Sequence, residues 1–141
     1  MSIQAILLPL FVEVVLIFVL LLWLGILRRN DVSSGATRLS QIALREPSWP
    51  TPTLQVAYSF SNQFELPVLF YVLTILEIMT RHADFLFVVL AWIFVAMRLM
   101  QAYVHTTSNV VTYRGAFYIV GALVLMAMWI IFMVRLLLGL P

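Results

Sequence analysis

The sequence contains no cysteine, no lysine and few charges of either sign, and these absences narrow the kind of protein it encodes. Without cysteine there are no disulfide bridges, thiolate nucleophiles or cysteine metal sites. Charged residues make up 10% of the 141 residues and hydrophobic ones 64%, with a mean hydropathy of +1.08. This composition is far more apolar than the surface of a soluble domain tolerates, so it predicts an integral membrane protein.

The apolar residues form four long runs, each of about 20 residues or more. A helix of that length, rising about 1.5 Å per residue, crosses a hydrocarbon core of roughly 30 Å. The runs predict one domain, residues 1–141, with membrane-spanning helices at residues 3–27, 54–79, 85–105 and 115–140. Continuous runs favour an all-α four-helix bundle over a barrel of alternating strands. The first run lacks the basic segment and cleavage site of a signal peptide, so we expect it to remain as helix one.

The eight basic residues other than histidine are all arginines, and their distribution predicts how the chain is oriented. The first and third connections hold Arg28, Arg29, Arg38, Arg45 and Arg114, whereas the second holds Arg81. By the positive-inside rule, the first and third loops are cytoplasmic and both chain ends lie on the opposite side. The small net charge of +2 does not indicate binding to nucleic acid.

Polar residues recur along one face of the second predicted helix. Tyr58, Asn62 and Glu65 are spaced so that their side chains share that face. A carboxylate at this depth needs a partner or a water-filled site. Pro67 lies just beyond, where we expect it to bend the helix and free the carbonyl of Gln63.

A second polar stripe follows the third predicted helix. Arg98, Gln101 and His105 lie at i, i+3 and i+7, and Asn109 continues the series at i+11. Counted inward from the cytoplasmic ends of their helices, Glu65 and Arg98 lie at matching depths, 11 and 10 residues. A charge buried alone is costly, so we expect Glu65 and Arg98 to form an ion pair.

The two stripes meet near a cluster of basic residues and predict a pocket. Arg28, Arg29, Asn109 and Arg114 lie around its expected mouth on the cytoplasmic side. Such a pocket suits a small, anionic, water-soluble ligand, with an apolar second substrate arriving from the lipid. The alternative is that the polar residues only join helices to one another, at about 1 kcal/mol or less per contact.

These motifs resemble the membrane-associated eicosanoid and glutathione metabolism (MAPEG) family. The family includes microsomal glutathione transferases, leukotriene C and prostaglandin E synthases, and five-lipoxygenase-activating protein. The matching features cover nearly the whole chain: the basic pair Arg28 and Arg29, the segment SNQFELPVLF with Asn62 and Glu65, the pair Arg98 and His105, and Arg114. The chain looks like a bacterial-type member similar to the microsomal glutathione transferases.

The resemblance implies a homotrimer of four-helix subunits in the lipid bilayer, with glutathione bound as cosubstrate between neighbouring subunits. The residues it assigns to glutathione binding are Arg28, Arg29, Tyr58, Asn62, Glu65, Arg98, His105 and Asn109. It assigns Arg114 a catalytic role, because a guanidinium beside the glutathione sulfur favours the thiolate. The implied activity is a glutathione-dependent transferase or peroxidase acting on small lipophilic electrophiles. Tyr58 stands where the family enzymes have arginine, His105 replaces a tyrosine, and Pro67 falls one residue early.

Two other functions are compatible with part of the pattern. The family also has a non-enzymatic lipid-binding member, so a lipid-binding or scaffolding protein of the same fold is the alternative. A small proton-coupled multidrug transporter also has four helices and a lone glutamate in helix one, as Glu13 is here. Its connections are short, however, whereas the first loop of this chain has 24 residues. We therefore expect Glu13 to make a trimer or interhelical contact. His82 and His105 lie near opposite membrane faces, and we expect no metal site.

Overall fold

Four apolar helical segments in the computed structural model are long enough to cross a membrane. The structure describes residues 1–43 and 48–141. Its helices are α1 (Ile3–Ser33), α2 (Thr51–Asn62), α3 (Leu66–Met79), α4 (Phe85–Thr106) and α5 (Val111–Leu137). Helices α2 and α3 together make the second spanning segment. The predicted all-α architecture with four membrane-spanning segments is therefore confirmed.

Helix α1 is longer than the sequence predicted. It begins after Ser2, whose side chain accepts a hydrogen bond from the Ala5 amide, and it ends at Ser33 rather than at residue 27. Its 31 residues extend about 46 Å, well beyond a hydrocarbon core of roughly 30 Å. Arg28 and Arg29 therefore lie within the helix. Arginine is a good helix former, so a basic pair does not end a helix.

The start of α2 also differs from the prediction, which began this helix at residue 54. The helix begins three residues earlier, at Thr51, with a proline in its first turn. Thr53 is buried and its hydroxyl donates a hydrogen bond to Asp31 Oδ2 near the end of α1. This contact fastens the end of α1 to the start of α2. Arg45, which the sequence analysis placed in this loop, lies outside the described residues.

Helix α4 packs against α1, α2 and α5. The aromatic and small apolar side chains of α4 contact α3 in the main apolar core, where the ring centroids of Phe70 and Phe94 lie 4.9 Å apart. A smaller cluster of Leu20, Leu24 and Val56 joins α1 to α2. Many large apolar side chains instead point outward, as expected for a surface in contact with lipid. α4 thus contacts helices on several sides, which places its polar stripe inside the bundle.

Different contacts join the helices at the two membrane faces. The site face is the one where α1 ends and α2 begins, and the far face is the opposite one. At the far face, an Arg135 amino group lies 2.9 Å from Asp84 Oδ2, and Arg135 Nε donates to the Pro141 carbonyl at 2.7 Å. His82 Nε2 donates to the Leu140 carbonyl at 3.0 Å. These five residues form the far-face latch, which joins the end of α5 and the chain beyond it to the connection between α3 and α4.

The latch predicts a specific acid sensitivity. Burial alone would raise the pKa of Asp84, but the Phe87 amide and the Arg135 guanidinium outweigh it and hold this pKa below its usual value. A lowered pKa stabilises the folded protein above the unfolded value of about 3.9. This stabilisation is lost as the pH falls through the folded pKa. We expect Asp84→Asn to lower the melting temperature at neutral pH and to weaken its fall under acid, measured by circular dichroism in detergent. If the melting temperatures of Asp84→Asn and wild type fall equally as the pH is lowered, this prediction is wrong.

Gly121 lies where α4 and α5 approach closely. A methyl group added at Gly121 would lie 3.5 Å from the Met97 Cβ and 3.9 Å from the Phe94 ring, whereas one at Gly25 would meet nothing within 4 Å. Gly121→Ala should therefore be tolerated. Gly121→Leu should force the two helices apart and cost about 1–3 kcal/mol of unfolding free energy. Gly25→Leu is the matched control, and an equal loss of stability in both leucine variants would show that close packing is not the cause.

Candidate functional site

The second spanning segment is interrupted at the polar stripe. Helix α2 ends at Asn62, and α3 begins at Leu66 with Pro67 in its first turn. Proline has no amide hydrogen to donate, so it is well placed at the start of a helix. The predicted bend is therefore present, as a complete break between two helices.

The side chain of Arg98, on α4, binds the end of α2. One of its terminal nitrogens donates to the Asn62 carbonyl at 2.9 Å and to Gln63 Oε1 at 3.3 Å, and the other donates to Gln101 Oε1 at 2.7 Å. The side chain is almost fully buried, with 1% exposure. The last carbonyls of a helix have no partner within it and carry partial negative charge, which a cation stabilises. Arg98 thus joins α4 to the end of α2 through the Asn62 carbonyl, one residue before the carbonyl predicted to be free.

The predicted ion pair between Glu65 and Arg98 is not formed. Both residues are in the described part of the chain, and Arg98 bonds to a carbonyl and two amide side chains instead. Glu65 is exposed and lies on the wall of a groove. The prediction assumed a continuous helix, and the break after Asn62 changes the direction in which Glu65 points.

A groove of about 610 Å³ opens between α2, α4 and α5 and brings five of the predicted site residues together. We call it the polar groove. Its lining residues are Tyr58, Ser61, Asn62, Glu65, Gln101, His105, Arg114, Gly115, Tyr118 and Ile119. The two polar stripes inferred from the sequence therefore face one space.

A short polar network positions Arg114, the arginine that lines the polar groove. Arg114 donates to Asn109 Oδ1 at 2.8 Å. Asn109 has φ of 50°, a left-handed conformation that asparagine adopts more readily than most residues, and its amide donates to Val104 at the end of α4. Asn109 therefore positions Arg114 and is not one of the residues lining the polar groove. His105 does line it, and its Nδ1 has no partner among the described residues.

Three other predicted site residues also lie away from the groove lining. Arg98 is buried behind it, and the guanidinium of Arg28 lies 5.1 Å from the centroid of the Trp49 ring, a cation–π contact. Arg29 is exposed on the same extension of α1. The two arginines belong to a helix that continues past the membrane edge, so they add positive charge to the site face without lining the groove in this chain.

The sequence analysis missed Ser61, Gly115, Tyr118 and Ile119. Tyr118 lies one helical turn after Arg114, and this i to i+4 spacing could have found it. Its ring centroid lies 6.0 Å from the Arg98 guanidinium, so the tyrosine stands between the groove and the buried arginine. The other three carry little chemistry, and nothing in their spacing distinguishes them from packing residues.

A family model described as the MAPEG family matches residues 6–134, nearly the whole chain. The chain belongs to the MAPEG family. No curated protein and no solved structure matches it. In this MAPEG protein the basic pair, the Asn62 and Glu65 motif, and Arg98, His105 and Arg114 are distributed over a polar groove, the buried contact behind it and the end of α1.

The three hydrogen bonds of the Arg98 guanidinium predict how this MAPEG protein responds to a conservative substitution at that position. Arg98→Lys keeps the charge but cannot reach Asn62, Gln63 and Gln101 together, so it should cost about 1–3 kcal/mol of unfolding free energy. Thermal unfolding in detergent measures this loss. Arg29→Lys is the control, since Arg29 is exposed and should tolerate the change. Unaltered stability in Arg98→Lys would show that the guanidinium hydrogen bonds are not needed for stability.

Proposed function

We propose that the protein is a glutathione-dependent transferase or peroxidase that acts on lipophilic electrophiles within the membrane. The observation that carries the proposal is the polar groove, where Tyr58, Asn62, Glu65, His105 and Arg114 face one space. Family membership supports the proposal without specifying the reaction.

The groove fits the chemical groups of glutathione. Its volume of about 610 Å³ lies within the range of small-ligand sites. Glutathione carries an ammonium, two carboxylates, two peptide amides and a thiol. Glu65 is a carboxylate exposed to the groove and would bind the ammonium, while Asn62 and Tyr58 can bond to amides and carboxylates. Arg114 is the guanidinium that lines the groove, and it would hold the sulfur.

The proposed transfer begins when the glutathione thiol loses its proton to water. Arg114 stabilises the resulting thiolate, because a positive charge beside the sulfur favours the ionised form. With a chlorinated aromatic electrophile, the thiolate forms a carbon–sulfur bond and chloride leaves. With a lipid hydroperoxide, the thiolate attacks the outer oxygen, the oxygen–oxygen bond breaks, and the alcohol leaves after taking up a proton, so that glutathione sulfenic acid forms. The thiol of a second glutathione then attacks the sulfenic sulfur, which gives the disulfide and releases the oxygen as water.

The proposal includes an assembly of three subunits and a cytoplasmic site face. Glu65 is an exposed carboxylate within a membrane-spanning segment, and such a charge is costly in contact with lipid. A neighbouring subunit that covers the groove would remove this contact. The site face also carries Arg28, Arg29, Arg38 and Arg114, against Arg81 and Arg135 at the far face. This asymmetry supports placing the site face, with its glutathione, in the cytoplasm.

A second candidate function is non-catalytic binding of lipid. A separate groove of about 420 Å³ lies on the other side of the α4 and α5 pair, and almost all of its lining is apolar. Its residues are Leu99, Met100, Tyr103, Val104, Tyr113 and Phe117. An acyl chain fits such a surface without any of the chemistry proposed for the polar groove.

Purified protein in detergent separates the two functions. Glutathione binding is measured by calorimetry, and turnover is measured with a chlorinated aromatic electrophile and with a lipid hydroperoxide. For an enzyme, we expect saturable turnover in both glutathione and the second substrate. Arg114→Ala should lower kcat/KM by about 10² or more, the usual cost of removing a group that stabilises developing negative charge.

Arg81→Ala is the matched control, because Arg81 is an exposed arginine at the far face and is not part of the latch. It should retain the turnover of the wild type. Equal losses in the two variants would indicate general destabilisation. An absence of both glutathione binding and turnover in the folded wild type would leave lipid binding as the function.

A further inference from the structure

Glu13 is a buried carboxylate that the proposed reaction does not use. It lies in α1 with 0% exposure, and neither of its oxygens has a hydrogen-bond partner among the described residues. A carboxylate inside a membrane protein is costly unless it has a partner or a water-filled site. The burial of Glu13 without a hydrogen-bond partner therefore points to a nearby cation.

The membrane depth of Glu13 matches that of Arg98. Ile3 and Ala83 line one cavity at the far face, so α1 and α4 begin at about the same level. From there, Glu13 is ten residues along α1 and Arg98 is 13 residues along α4. At about 1.5 Å per residue, these distances are roughly 15 and 20 Å, a difference that two long side chains can span. The two helices also pack against each other.

Arg98 has an unused donor as well. Its two terminal nitrogens bond to Asn62, Gln63 and Gln101, while the buried Nε has no partner among the described residues. Glu13 and Glu65 are the carboxylates close enough to act on the Arg98 charge, and Glu13 is the buried one of the two. The groups are not joined by a direct hydrogen bond, so the interaction is one of charge with charge.

We propose that Glu13 is the counter-ion of Arg98, and that this charge pair positions the break between α2 and α3 where Asn62 and Glu65 face the groove. Glu13 is a positioning residue, because it acts through Arg98 and does not line the groove. The role of counter-ion, which the sequence analysis gave to Glu65, passes to a carboxylate on another helix. Glu65 is thereby left free to bind a ligand.

A double-mutant cycle on thermal stability tests the pair without reference to any ligand. Glu13→Gln leaves the guanidinium without its counter-ion and should lower the melting temperature in the wild type and in Arg98→Lys, which keeps the charge. In Arg98→Met there is no charge to balance, so Glu13→Gln should lower the melting temperature little or raise it. If Glu13→Gln lowers the melting temperature in Arg98→Lys but not in Arg98→Met, the interaction depends on the charge at position 98 and not on the shape of the side chain.

Glu77→Gln is the matched control for the cycle. Glu77 is also a buried glutamate, in α3, with an unpaired oxygen among the described residues, and its ionisable neighbours are Arg135, Asp84 and His82 at the far face. Its effect should add to that of Arg98→Met, as expected for independent sites. If Glu13→Gln is equally additive, the pairing with Arg98 is wrong. Should Arg98→Met fail to fold, the comparison of Glu13→Gln with Glu13→Asp in the wild type replaces it, and only the aspartate should retain stability.

The positioning role rests on the proposed function and has its own measurement. Glu13→Gln should raise the Kd for glutathione about tenfold, within the range for residues that act through a network. It should leave the KM for the electrophile unchanged, and Glu77→Gln should change neither constant. Unchanged glutathione affinity in Glu13→Gln would overturn the positioning role. If the wild type binds no glutathione, the proposed function fails, while the stability cycle still decides whether the two residues are paired.

Discussion

The contact on which the site depends is the bond from Arg98 to the end of α2. A helix that stops within the membrane exposes carbonyls to a region without water, and those carbonyls require donors. Arg98 supplies one from α4 to the Asn62 carbonyl, and the side-chain oxygens of Gln63 and Gln101 accept its other hydrogen bonds. The second spanning segment can therefore be interrupted, and the interruption turns Glu65 toward the polar groove.

Much of the site could be predicted from helical spacing alone. Tyr58 and Asn62 share a face of α2 because their spacing follows the turn of a helix, and both line the polar groove, as Glu65 does beyond the break. His105 and Arg114 were predicted on opposite sides of one short connection, and they too line the groove. Spacing works here because short connections leave little freedom in how neighbouring helices pair.

The remaining features depend on three-dimensional detail that spacing does not contain. The sequence shows that Pro67 ends a helix, but the direction of the chain after Asn62 depends on which donors reach its carbonyls. The contact between Asp31 and Thr53 joins residues across a long loop, and no local pattern indicates it. Glu13 was visible as an isolated charge, yet the cation that we assign to it lies on a helix far along the chain.

The α4 and α5 pair has a mechanical property that follows from the far-face latch. The two helices are joined by a four-residue connection at the site face and by the pairing of Asp84 with Arg135 at the far face. A hairpin closed at both ends resists sliding of one helix along the other, so the spacing between His105 and Arg114 stays constant. Helix α2 is joined to α4 by packing and by the hydrogen bonds of the Arg98 side chain, without a direct chain connection. One wall of the groove is thus rigid and the other adjustable, and any change in the width of the groove comes from movement of α2.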